Sequence, residues 1–259
     1  MTLRARLCWI AALALLPGLA VALEDAPTPA AQAAAWADTL ASAQAGEVWQ
    51  ARSALLNLQH HAFAALSAQL DREELVKLQN TADLIYPGAE RFYGHGRAVF
   101  YDIDWVHIRA GWVLEDLVRV SFGFGLGSTL TPTEVIGAVF HTDPPQLPPE
   151  KWSLESRAAA GRAAAARARA WLAENQDWRC LDALRDDLRS ESTARQRSAI
   201  DWMVSGEGAC EGLTRDVYTT ALRPLVEATS RSADAELSER ARRILRDETH
   251  HWLNIKGGL

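Results

Sequence analysis

Apolar residues recur at helical spacing along most of the chain. Phe63, Leu66, Leu70, Leu75 and Leu78 set the pattern for a helix from His60 to about Leu84, and two more are predicted before it, over 31–43 and 47–59. Tyr86-Pro87-Gly88 breaks the period, and residues 86–104 mix turn formers with aromatics. Asp104 then stands where a helix N-cap belongs, ahead of a predicted helix from Trp105 to about Val120. Apolar residues surround most of that helix axis, so it should be buried on most sides and sit centrally. Ser121–Ser128 is glycine-rich and has no period, whereas Thr131-Pro132-Thr133-Glu134 reads as a capping box that opens a short helix ending near Phe140. Residues 142–149 hold four prolines and are the clearest linker, separating an N-terminal helical block (23–141) from a C-terminal one (150–259). Helices are expected beyond it over about 150–173, 177–189, 193–204, 214–230 and 237–247. Only Ala98–Ile103 alternates like a strand. The pattern predicts an all-α protein, arranged as a right-handed helical-repeat array or an irregular bundle, with room for one small β excursion near 98–103.

The helices repeat one another in part. Arg109-Ala110-Gly111-Trp112-Val113-Leu114 matches Arg240-Ala241-Arg242-Arg243-Ile244-Leu245, and Arg52-Ser53-Ala54-Leu55 matches Arg197-Ser198-Ala199-Ile200. Asp104, Ser192 and Asp234 precede three of these helices as capping residues, and Arg197 and Arg240 stand 43 positions apart, within the ~40–47-residue period of HEAT and armadillo repeats. In these features the chain resembles the HEAT-like α-solenoids, best over residues 175–248. The resemblance implies helix pairs Trp178–Arg189 with Thr193–Val204 and Arg215–Ser230 with Leu237–Asp247, and a degenerate pair of His60–Leu84 with Trp105–Val120. It also implies stacked pairs sharing a continuous core, with a concave face for binding.

Residues 1–22 have the form of a secretory signal. Arg4 and Arg6 begin it, Trp9–Leu16 is apolar, and Ala20-Val21-Ala22 is a small-x-small cleavage site. The expected location is periplasmic, with secretion as the alternative. From Leu23 on there are 25 basic and 33 acidic residues, a formal net charge of −8. That balance argues against a general nucleic-acid binder, and no segment after the signal is predicted to insert in a membrane. Cys180 and Cys210 remain after cleavage. In an oxidising compartment they would form one disulfide, and the alternative is a pair of buried thiols.

Candidate chemistry concentrates in Tyr93–Glu115. Tyr93, His95, Arg97, Tyr101 and Asp102 lead into the central helix, where His107, Gly111 and Glu115 share one stripe at spacings of four. The glycine between an imidazole and a carboxylate leaves space for a ligand or for a neighbouring backbone. Asp102, Asp104, His107 and His95 are ligand types for zinc, but they lack a recognised ligand spacing. The neighbouring pairs His60-His61 and His250-His251 point about 100° apart on a helix and make poor chelates. No metal or cofactor is therefore assigned from sequence. No G-x-S-x-G, S-x-x-K or C-x-x-C motif is present. The Arg157–Arg169 stretch reads as a solvated helix face, and the ten tryptophans as helix seals with an exposed subset marking an interface. The leading expectation is an exported, non-catalytic helical scaffold that binds another protein, an immunity-type or adaptor protein being examples. The alternative is an exported hydrolase, or a small-ligand or metal binder, using residues 93–115.

Overall fold

The structure, a computed structural model, describes residues 26–89, 96–140, 149–205 and 207–246. The signal-like segment 1–22, Tyr93, His95, His250, His251 and most of the proline-rich segment lie outside the described residues.

Three helices open the fold: α1 (Pro29–Thr39), α2 (Ala45–Leu58) and, after a 3-10 turn (Gln59–Ala62), α3 (Phe63–Gln69). The helix expected to run on to Leu84 stops at Gln69. Beyond it, residues 72–80 are extended because distant partners take their backbone groups. Val76 N–H donates to the Asp104 carbonyl, Gln79 N–H to the Ala43 carbonyl, and the Glu74 and Arg72 carbonyls accept from Val106 and His107 N–H. These tertiary bonds replace the i→i−4 ladder that the apolar spacing implied.

They also change the start of the central helix, α4 (Val106–Val118). Asp104 is not its side-chain cap. Its carboxylate turns away to accept from Leu78 N–H at 3.1 Å and Tyr86 O–H at 3.0 Å, while the extended segment satisfies the helix's first amides. The expectation of centrality holds: of the residues in α4 only Asp116 escapes full burial. A short parallel pair, β1 (Leu84–Ile85) with β2 (Arg97–Ala98), is the β excursion, in register Leu84 to Arg97 and Ile85 to Ala98.

Next come α5 (Pro132–Phe140), α6 (Pro149–Trp152) and α7 (Leu154–Glu174). The capping box forms at α5: Thr131 N–H donates to Glu134 Oε2 at 2.7 Å, and Glu134 N–H returns to Thr131 Oγ1 at 3.4 Å. Ser153 separates α6 from α7 and caps the latter through Ser156 N–H. Although α7 follows the proline-rich segment, its small face (Ala164, Ala165, Ala168, with Leu172) joins the core of α1–α4. The change of core therefore comes after α7 rather than at the prolines, because a face of alanines and Gly161 lets α7 lie close against α4.

A second core belongs to α8 (Cys180–Arg189), α9 (Thr193–Ser205), α10 (Arg215–Val217), α11 (Arg223–Thr229) and α12 (Ala235–Arg246). A π-helical turn, Tyr218–Leu222, joins α10 to α11. Pro224 lacks the N–H that a regular helix would use there, and the Thr219 and Thr220 hydroxyls bond back to the Arg215 and Asp216 carbonyls. Helices α8 and α9 form one hairpin, and α11 and α12 another. They stack first helix on first and second on second. Asp234 caps α12 through Leu237 N–H at 2.9 Å. Cys180 and Cys210 meet at disulfide distance, with Cα atoms 5.5 Å apart.

Candidate functional site

Most charged groups of the 93–115 region are engaged in holding backbone. Arg109, fully buried, donates to the carbonyls of Ile103, Leu40, Ser42 and Val76, which ties α1, the extended segment and α4 together. Burial lowers its pKa to about 10, so it remains charged at neutral pH. Glu115 Oε1 accepts from the backbone N–H groups of Phe122, Gly123 and Phe124. Its other oxygen accepts from Tyr101 O–H at 2.9 Å. The carboxylate thus serves as the anion that folds the glycine-rich loop, and burial pushes the Tyr101 phenol well above its ordinary value.

The polar stripe on α4 is packed along its whole length. A Cβ added at Gly111 would sit 2.4 Å from the Phe124 ring, and one at Gly161 would sit 2.2 Å from His107 Nε2. Gly111 therefore admits an aromatic side chain, and His107 lies beneath α7 with neither ring nitrogen hydrogen-bonded. Asp102 is buried and paired with Arg157, whose guanidinium stands 5.0 Å over the Trp152 ring. Burial raises the Asp102 pKa, and Arg157 opposes that rise. Arg97 lies apart from these groups, exposed, against Trp49 and paired with Glu207.

Around the Asp102–Arg157 pair is a cavity of about 200 Å³, walled by Ile108, Phe124, Leu126 and Trp152, with Ser156 and Lys151 also lining it. Among the described sequence candidates, only Asp102 lines this cavity.

A larger concavity runs between the two cores, made of two adjoining depressions of about 510 and 680 Å³ that share Arg119, Val120 and Ser198. Trp178, packed against both cores, stands in its wall with Trp171 and Trp202. Glu115, Asp116 and Asp201 border the first depression; Asp177, Asp182, Asp186 and Asp187 border the second. Three guanidiniums, Arg119, Arg179 and Arg195, stand among these seven carboxylates, and three more pair with them from outside the lining: Arg52 with Asp116, Arg185 with Asp182 and Arg240 with Asp201. Asp187 bridges two of them, at 3.3 Å from Arg119 and 2.8 Å from Arg195. Asp182 and Asp186 are exposed on α8, as is Asp177 on the turn before it. Sequence reading passed over this groove. Its one local signal is the acidic spacing Asp182, Asp186, Asp187 on a single helix, and the facing half comes from α4, some 60 positions earlier.

Comparisons with models of known families, with curated proteins and with solved structures found no match to this chain. No helix among the described residues is long and apolar enough to cross a membrane.

Proposed function

We propose that this is an exported, non-catalytic helical scaffold that holds a cationic segment of another protein in the groove between its two cores. The observation that carries the reading is the groove's composition: seven carboxylates, with three guanidiniums in the lining and three more pairing from outside it, the exposed Asp177, Asp182 and Asp186 along one side, and tryptophans in the wall. Acidic lining attracts a Lys/Arg-rich segment and sets its orientation, and a half-buried indole offers a face on which a guanidinium stacks. The engagement of Arg109, Asp104 and Glu115 with backbone supports a structural rather than catalytic part for those groups. The stacked hairpins α8–α9 and α11–α12 support reading residues 175–248 as HEAT-like repeats, whose use elsewhere is to present extended binding faces. The pattern of residues 1–22 supports export, with the periplasm as the setting.

The test is a titration of the protein from Leu23 onward with a labelled hexa-arginine peptide at low and at physiological salt. The reading expects saturable binding that weakens with salt. It expects about a tenfold loss when Asp177, Asp182 and Asp186 are all changed to Asn, three exposed charges each contributing a few tenths of a kcal/mol or more. Equal binding of a neutral peptide, or no effect of the triple change, would overturn it.

A further inference from the structure

We propose that His60, His61 and Glu211 together form a site for a divalent transition-metal ion of borderline softness, zinc, nickel or copper. The two histidines occupy the 3-10 turn between α2 and α3, where their rings face one another with centroids 4.0 Å apart. Rotation about the side-chain bonds brings together two rings whose Cβ directions diverge, which is why the angular argument from sequence rejected the pair. The third group comes from the other core: Glu211 follows Cys210, and its Oε2 lies 3.6 Å from His60 Nδ1. One donor atom from each of the three residues lies within 4.8 Å of the others. A tetrahedral ion with bonds of about 2.0–2.2 Å needs donors roughly 3.3–3.6 Å apart, so the observed spread is closed by small side-chain rotations.

A second observation points to a ligand. His60 Nδ1 is buried and has no hydrogen-bond partner, an arrangement that costs free energy unless something coordinates the atom. Arg179 also stands near the His60 ring. Arg179 repels a cation, and the Glu211 carboxylate compensates that charge. Two imidazoles and one carboxylate suit zinc, nickel or copper better than calcium or magnesium, which prefer all-oxygen shells. Three protein ligands leave the fourth position to water. Because the turn belongs to the first core and Glu211 to the second, the ion would join the two. The Cys180–Cys210 pair keeps Glu211 in place beside the turn.

The experiment titrates zinc chloride into the metal-stripped full chain from Leu23 on, by calorimetry, with and without prior reduction of the cysteines. One ion per chain is expected. His61→Ala and Glu211→Gln, both at exposed positions, should each lower the affinity tenfold or more while leaving the far-UV circular dichroism unchanged. Reduction should weaken binding in the unaltered chain and have little further effect in Glu211→Gln. A control variant changes His250 and His251 to Ala and should retain full affinity. The proposal is overturned if no saturable binding occurs, if His61→Ala and Glu211→Gln bind as the parent does, or if only the His250/His251 variant loses the ion.

Discussion

Trp112 is the residue on which the aromatic packing of α4 turns. It lies 5.0 Å from the Trp49 ring and 5.6 Å from Tyr101, with the Arg52 guanidinium 4.4 Å over its face. Its removal leaves a void in the core and takes away the surface on which Arg52 rests. Trp112→Ala should cost about 3–5 kcal/mol, read as a shift in the denaturant midpoint at constant m-value. A cost under about 1 kcal/mol would mean that α4 is not the centre of the first core. His107 makes a prediction of a different kind. Its pKa is lowered from 6.5, chiefly by burial, so the unfolded chain takes up that proton more readily than the folded one. The stability that its neutral form supports is complete above pH 6.5 and is lost progressively as the pH falls from there through the lower folded value. Unfolding at pH 7.5 and pH 5 should therefore show a smaller acid loss in His107→Gln than in the parent. Equal losses would place the imidazole's proton in solvent.

Among the elements, α7 depends most on a single small residue. Gly161 lets it lie over His107, and an added Cβ would stand 2.2 Å from Nε2. Alanine gains about 1 kcal/mol of helix propensity over glycine, but overpacking a filled core costs about 1–3 kcal/mol. His107, buried under the helix, has little space to retreat, so Gly161→Ala should destabilise on balance. The double variant with His107→Ser should lose less than the sum of the two single changes; strict additivity would show that the two positions do not touch. Helices with a local signature were legible in the sequence, α5 by its capping box and α9 and α12 by period and capping residue. Residues 70–81 were not, because their conformation depends on backbone bonds to Ala43, Asp104 and Val106 that lie far off in sequence. The same reason hid the backbone partners of Glu115 and Arg109. A charge among apolar neighbours resembles a site until the amides and carbonyls that neutralise it are known. His60 and His61 were set aside as a poor chelate, and Glu211 gave no sign of joining them because 150 positions separate it from His61.

At the scale of the whole molecule, the two cores are built by different rules. Neighbouring helices pair in the second, whereas the first is closed by a segment that is not helical at all. Residues 72–80 bond to partners about 30 positions away on either side. That arrangement governs the order of assembly. Bringing such partners together costs loop-closure entropy before any contact compensates for it, and chains rich in distant contacts fold more slowly than those rich in local ones. On dilution from denaturant the C-terminal hairpins should regain helix first, while the N-terminal half waits for its extended segment to find Asp104 and the loop at Ala43. Helical circular dichroism should therefore recover ahead of the fluorescence of Trp112, followed in a variant whose other tryptophans are replaced by phenylalanine. Coincident single-exponential recovery would show that both halves cross one barrier together. If the phases separate, the slow interval leaves the apolar faces of α4 and α7 open to solvent, and in a concentrated solution those faces would meet other unfolded chains before they met each other.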